Sequence, residues 1–463
     1  MSADAPEAPP SRTPGLIDES NLLGSVMRLA WPVVVQQVSF SMVQLVDTAL
    51  VGHLGEDALA GVRLAGQLFW FSQTGLVAVG VGATAIVARS IGAGEGHRAS
   101  TFVQTGFVLA LAWGILMALM MWFGGEAWLG IMGAEPEAQA AGTEFLKALA
   151  IGMPFMAIMF AGNAAQQGAG DTRSPMAIGI VINVVNVIVA YTLINGTGPA
   201  PELGVTGSGL GASISAMVGC GLVLAVLASG KRVLSWRPST ALTFDRAAAG
   251  RLMNIGFPAG IEMMQFNIAF MFYTRIIASL GTTALAAHGV TLAIQSLTFN
   301  VGFALSIATS ALVGQSLGAK RPDLAERSAY VTMRYSLVFM SFLALIMMLF
   351  GSQIVGLFVA GEDAAEVIDI GSELLFIFAF AMPGLAISLT LGGALRGAGD
   401  TRAVLYIMAG TTWIIRLVPA YLLAITFGLG VPGAWIAAIL DINTRAALMW
   451  LRFRLGKWKT IKV

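Results

Sequence analysis

The sequence predicts an all-α polytopic membrane protein, with twelve transmembrane helices arranged as two six-helix bundles in parallel repeat. Three observations carry that prediction. Of the 463 residues, 57% are hydrophobic and only 11% charged, with a mean hydropathy of +0.80. A soluble domain carries about 25% charged residues, so most of this chain does not face water. Apolar windows of about 20 residues, the length that crosses a bilayer, recur twelve times. The hexapeptide Gly-Ala-Gly-Asp-Thr-Arg also occurs twice, at 168–173 and at 397–402, and a long internal repeat signals a doubled architecture.

Residues 1–21 are rich in Pro, Ser and acids and lack the basic-then-apolar order of a signal peptide. They read as a disordered cytosolic tail, which leaves the first apolar segment to act as its own insertion signal. The N-terminal lobe, 22–229, holds windows at about 25–51, 60–87, 101–123, 143–166, 176–196 and 204–229. A basic cytosolic linker, 230–249, leads to the C-terminal lobe, 250–452. Its windows lie at about 250–279, 284–313, 329–351, 370–393, 404–427 and 431–452. Residues 453–463 form a basic cytosolic tail.

The halves match beyond the hexapeptide. Trp31-Pro32 corresponds to Phe257-Pro258, Leu54-Gly55 to Leu280-Gly281, Ser90-Ile91-Gly92-Ala93 to Ser316-Leu317-Gly318-Ala319, and Leu203-Gly204-Val205 to Leu429-Gly430-Val431, every pair 226 residues apart. The hexapeptides are separated by 229, so the loops around them differ slightly in length. Six spans is an even number, so both halves start from the same side and are parallel repeats about an axis along the membrane normal. Lys and Arg concentrate in alternate loops (Arg89, Arg98, Arg173, Arg246, Lys320, Arg321, Arg396, Arg402 and the C-terminal tail), whereas the opposite loops carry mainly acids. By the positive-inside rule both termini are cytosolic.

Composition also excludes several chemistries. One cysteine, Cys220, rules out an intramolecular disulfide and a cysteine-based metal cluster. The three histidines, His53, His97 and His288, are scattered, so a histidine metal site is not expected. No Gly-x-x-x-x-Gly-Lys-Ser/Thr phosphate loop occurs, so active transport would draw on an ion gradient or another subunit. Clustered nucleophiles are absent, so no enzyme is expected. No cofactor or nucleic-acid partner is expected either.

Attention therefore falls on ionisable residues at membrane depth, which are costly there. Asp47 lies late in the first window, with Gln36, Gln37 and Gln44 upstream. It is the leading cation-coupling candidate, against the alternative of an acid that merely snorkels to the interface. Glu262, four residues after Pro258, is the second, against a structural acid near the cytosolic end. Asn183 and Asn186 in the fifth window could hydrogen-bond Asp47 or join helices. In the repeat Asp47 corresponds to Tyr273, and Glu262 to Gln36. Asp441 and Arg445 are spaced i, i+4 and read as a neutralised pair, and His288 as a satisfied polar residue at a helix start. Met263 and Phe266 beside Glu262 could line an adaptable apolar pocket. Asp171 and Asp400 of the hexapeptides, beside Arg173 and Arg402, read as turn-setting residues in water or at the interface.

Taken together these residues resemble the multidrug and toxic compound extrusion (MATE) family, of the bacterial NorM/DinF-like kind. The signatures are Val46-Asp47-Thr48 followed by Val51-Gly52 and Leu54-Gly55, the Ser90–Ala93 and Gly314–Ala319 segments, Ala284-Leu285-Ala286-Ala287-His288, and the two hexapeptides. The resemblance runs over roughly residues 22–452. It implies a V-shaped pair of bundles that alternates between outward and inward access. It also implies export of organic cations and drugs in exchange for protons or sodium, across the cytoplasmic (inner) membrane, by a monomer in the lipid bilayer. Its cation site carries over to Asp47, Asn186 and Ser213, with Ala212 an equally good alignment for the last, and to Glu262. Substrate contacts are expected at Gln44, Met263, Phe266 and Tyr273. The alternative cargo is a lipid-linked saccharide moved by a flippase of the same superfamily, which would need a strongly basic central cavity. Intramembrane arginines are sparse (Arg275, Arg334, Arg416, Arg445), which argues against it.

Overall fold

A computed structural model describes residues 18–230, 234, 244–359, 364–461 and 463. Residues 1–17 of the expected 1–21 tail and most of the linker lie outside the described residues. The chain runs as helices α1 (Leu22–Gly52), α2 (Glu56–Gly92), α3 (Gly96–Ile131), α4 (Pro136–Gly168), α5 (Arg173–Asn195) and α6 (Gly204–Ala228) in its first half. The second half holds α7 (Arg246–Ala278), α8 (Thr282–Gly318), α9 (Pro322–Gly356), α10 (Ala364–Ala379), α11 (Met382–Gly397), α12 (Thr401–Thr426) and α13 (Gly430–Arg454). No strand occurs among the described residues.

Ten of these helices are long and apolar enough to cross a membrane, and α10 with α11 makes an eleventh span bent by 54°. The remaining helix, α7, has 33 residues, about 50 Å at the α-helical rise. It falls short in apolarity because Glu262, Gln265 and Asn267 interrupt it, and such residues are tolerated where a helix lines a polar cavity.

Local signals account for the boundaries. The Asn21 side chain accepts from the Gly24 N–H at 2.8 Å and Asp245 accepts from the Ala247 and Ala248 N–H groups, so each caps a helix start. Asp171 caps α5 in the same way, accepting from the Ser174 N–H at 3.0 Å and its hydroxyl at 2.6 Å. Gly55 and Gly281, 226 residues apart, both adopt φ of +115° immediately before a helix, a region closed to residues with a Cβ.

The two halves meet along a seam of glycines at the end that holds the hexapeptides. A Cβ at Gly92 would collide with the Gln315 carbonyl, and one at Gly318 with the Arg89 carbonyl. Those four positions are two pairs related by the same 226-residue step, so the seam obeys the pseudo-twofold of the repeat. Gly256 against Ala78 and Gly82 against Leu252 extend the contact between α2 and α7. The Gln315 amide also donates to the Gly168 carbonyl of the first hexapeptide at 3.0 Å.

Two features depart from the symmetry. Pro154 and Pro383 correspond at the hexapeptide spacing, yet α4 runs unbroken while α10 and α11 are bent. The Asn443 amide donates to the Phe380 carbonyl at 3.3 Å beside that bend, re-satisfying a carbonyl of the interrupted ladder. In α12 the stretches Thr411–Leu417 and Leu422–Thr426 are π-helical, whereas its counterpart α5 is regular.

Candidate functional site

Beyond the seam lie two chambers that share a neck lined by Gln36, Gln37, Trp70, Phe160, Asn163 and Met263. Each has a volume of about 700 Å³ (660 Å³ in the first half, 680 Å³ in the second).

The first-half chamber is built from α1, α2, α4, α5 and α6, with Asp47 in its wall. Asn186, one of the buried residues of α5, reaches it. With the amide oriented so that both of its ends are satisfied, Asn186 Nδ2 donates to Asp47 Oδ1 at 3.0 Å and its oxygen accepts from the Ala212 N–H at 3.2 Å. Asp47 has no ion-pair partner among the described residues. Gln44 lies one turn before it, exposed in the same chamber, and Asn183 lines the wall as well.

Ser213 is not in that wall. Its hydroxyl donates to the Ala148 carbonyl at 2.6 Å and joins α6 to α4, while Ala212 and Ser215 face the chamber. The expectation that Ser213 serves the cation site is therefore corrected: its hydroxyl is spent on helix packing. The two candidate registers differed by one residue, which turns a helical side chain by about 100°.

The second-half chamber takes most of its wall from α7, α8, α11, α12 and α13, and Val33, Gly80, Thr84 and Gln167 of the first half line it as well. Glu262, 6% exposed, accepts through Oε1 from Arg396 Nη2, while Oε2 has no partner among the described residues. Glu262 thus stands in the other chamber from Asp47, in an ion pair, so the sequence-predicted cation residues do not form one site. Arg396, which reads as a loop cation in the sequence, is in the last turn of α11 and lines this chamber. Phe266 and Tyr273 line it too, and Met263 lies at the neck.

Asp441 and Arg445 do pair, at 2.7 Å, but Arg416 also joins them at 2.7 Å through Nε. Arg445 further donates to the Thr411 and Thr412 hydroxyls at 3.2 and 3.1 Å. Arg416, Arg445 and Arg396 together face the chamber. His288, read as a satisfied polar residue at a helix start, lies in the second turn of α8 at 1% exposure; its Nδ1 accepts from Trp435 Nε1 at 3.2 Å, while Nε2 has no partner among the described residues. Arg396 and Trp435 are among the lining residues that sequence reading missed. Arg396 stands just three residues past an apolar window, which was the one available sign.

At the hexapeptides the halves differ again. Asp171 is a cap, whereas Asp400 is only 5% exposed and accepts from Arg452 at 2.8 and 3.2 Å. Arg402 instead donates to Asn254 Oδ1 at 2.7 Å. Asp400, expected in water or at the interface as a turn-setting residue beside Arg402, is shielded from water and is the ion-pair partner of Arg452 on α13.

A helical membrane bundle of two matched halves, closed at one end by backbone contact and holding largely apolar chambers with a few charged and amide side chains in their walls, is the build of a membrane transporter. The comparisons specify which. The MatE family profile matches residues 32–192 and 258–422. The chain is 30% identical over 437 residues to a probable multidrug resistance protein NorM of Thermotoga maritima, covering 94% of this chain and 92% of that protein. It is 28% identical over 442 residues to the multidrug resistance protein PmpM of Pseudomonas aeruginosa, covering 93% and 91%. The chain belongs to the MatE family of transporters.

The fold matches solved structures. A MOP superfamily transporter from Pyrococcus furiosus superposes with a TM-score of 0.88 at 20% identity, over 97% of this chain and 99% of that one. The Vibrio cholerae MATE transporter VcmN in its bent form gives 0.86 at 22% identity, over 94% and 97%.

Proposed function

We propose that this protein exports organic cations and drugs across a bacterial cytoplasmic membrane in exchange for protons or sodium, by alternating access, with coupling at Asp47. The observation that carries the proposal is the state of that carboxyl: inside a chamber, held by one neutral amide, and free of any ion-pair partner among the described residues. A carboxylate in such a place gains from a proton, a sodium ion or a cationic substrate, because Coulomb attraction grows as the local dielectric falls. Ion and drug that compete for one acid exchange rather than accumulate together, and each biases the equilibrium between the two access states.

The seam supports the reading of a closed cytosolic side, with the hexapeptides, the basic loops and both termini there. The relatives named as multidrug resistance proteins support the cargo class. A lipid-linked saccharide is the weaker alternative. Three arginines face the second-half chamber, but Asp441 and Glu262 offset two of them.

The test is drug efflux from proteoliposomes under an imposed proton gradient or an imposed sodium gradient. Wild type is expected to export with one of them and Asp47→Asn with neither. Equal gradient-driven export by Asp47→Asn would remove the coupling role from Asp47.

A further inference from the structure

The exposed face of α9 changes character at one point. Near the helix start the exposed side chains include Asp323, Arg327 and Arg334, and past Tyr335 the large exposed ones are apolar: Val338, Phe339, Phe342 and Leu345. Such a change marks where water gives way to hydrocarbon, and tyrosine and snorkelling arginine are the side chains that suit the boundary. On α1, the neighbouring helix, Met27 and Trp31 are the first large apolar side chains to be exposed.

Near that boundary a groove of about 500 Å³ lies between the start of α1 and α9. One wall belongs to the first half and the other to the second. Leu22, Leu23, Val331 and Val338 give it an apolar lining, and Arg327, Arg334 and Tyr335 line it as well. Arg327 and Arg334 are seven residues apart, two helical turns or about 10 Å along the axis, so they share one face of α9. Neither is in an ion pair among the described residues. Glu19, the one acid in the wall, is already held by Arg321 at 3.0 Å. The groove thus has two uncompensated guanidinium groups beside apolar surface, at the depth of the lipid headgroups. A water-soluble anion would satisfy the arginines and leave the apolar lining uncovered. An anion that carries its own hydrocarbon satisfies both.

We infer that this groove binds the headgroup phosphate of an anionic phospholipid of the cytosolic leaflet. Arg327 and Arg334 donate to the phosphate oxygens, which a planar guanidinium can engage two at a time, and an acyl chain runs past Val338 toward Phe342. Basic pockets between helices at the cytosolic surface are the kind of site that takes such headgroups. The choice of leaflet rests on the orientation proposed above; binding itself does not.

The test titrates the purified full-length protein in detergent with phosphatidylglycerol or phosphatidylcholine of the same acyl chains, and counts bound lipid by native mass spectrometry. Wild type is expected to bind phosphatidylglycerol about tenfold more tightly, the scale set by two arginines near a lipid surface. The double variant Arg327→Gln with Arg334→Gln should erase that preference and leave phosphatidylcholine binding unchanged. The charge-conserving pair Arg327→Lys with Arg334→Lys should keep most of it, which separates lost charge from a damaged fold. Arg173→Gln with Arg246→Gln, which removes two exposed cations at the same end, should keep it in full. No preference in wild type, a preference that survives the double glutamine variant, or equal loss in the Arg173 and Arg246 pair overturns the site. Glycerol 3-phosphate, which has the phosphate without the chains, should not displace the lipid; displacement at equal concentration would make the occupant a soluble anion and overturn the lipid assignment. An impermeant maleimide should label Ser20→Cys in intact cells only after permeabilisation. Labelling from outside would overturn the leaflet and the orientation, while the binding result would still stand.

Discussion

Asp441 is the most demanding single residue in the chain. It is fully buried and its two oxygens hold Arg416 and Arg445 at 2.7 Å. Removing one partner of such a cluster leaves a buried charge without compensation, which costs about 3–5 kcal/mol. Asp441→Ala is therefore expected to lower the thermal unfolding temperature of the detergent-solubilised protein sharply, and Arg334→Ala, outside any ion pair among the described residues, far less. Equal stability of the two variants would show that the cluster is not structural. Half of this cluster was legible in advance, because Asp441 and Arg445 are one helical turn apart and must meet. Arg416 was not, since its approach depends on how the π-helical stretch of α12 turns its side chain.

Among the elements, the glycine seam separates packing from mere flexibility. Gly92 is helical and meets the Gln315 carbonyl, whereas Gly96, four residues on, has no atom within 4 Å of a Cβ placed there. Gly92→Ala should therefore push α2 and α8 apart. Spin-label distances between the two halves at that end should lengthen or broaden, while Gly96→Ala leaves them unchanged. Unchanged distances in Gly92→Ala would mean that the seam yields without cost. The bend between α10 and α11 is also decided at this scale. Pro154 and Pro383 are equivalent in sequence, so proline alone did not determine which helix breaks. The Asn443 side chain, available to only one of them, accompanies the break.

For the whole molecule, the C-terminal residues tie the halves together. Trp458 is fully buried and stacks on Phe453 with ring centroids at 4.6 Å, Lys459 pairs with Glu326 at 2.6 Å, and the Ile461 carbonyl accepts from Arg89 of the first half at 2.7 Å. Truncating a buried tryptophan costs about 3–5 kcal/mol, enough to release this strap. Trp458→Ala is expected to speed tryptic cleavage at Lys457 and Lys459 many-fold; cleavage at the wild-type rate would show that the strap holds without it. By itself the sequence determined the membrane class, the doubled architecture and the residue types at issue, because hydropathy, repeat spacing and costly intramembrane charges are written along the chain. Only the tertiary structure decided that Asp47 meets Asn186, that Ser213 turns away, and that Glu262 is held by Arg396 in a different chamber from Asp47. Those outcomes depend on helix rotation and on contacts between segments up to hundreds of residues apart, and a single helical register step of about 100° moves a side chain from wall to core.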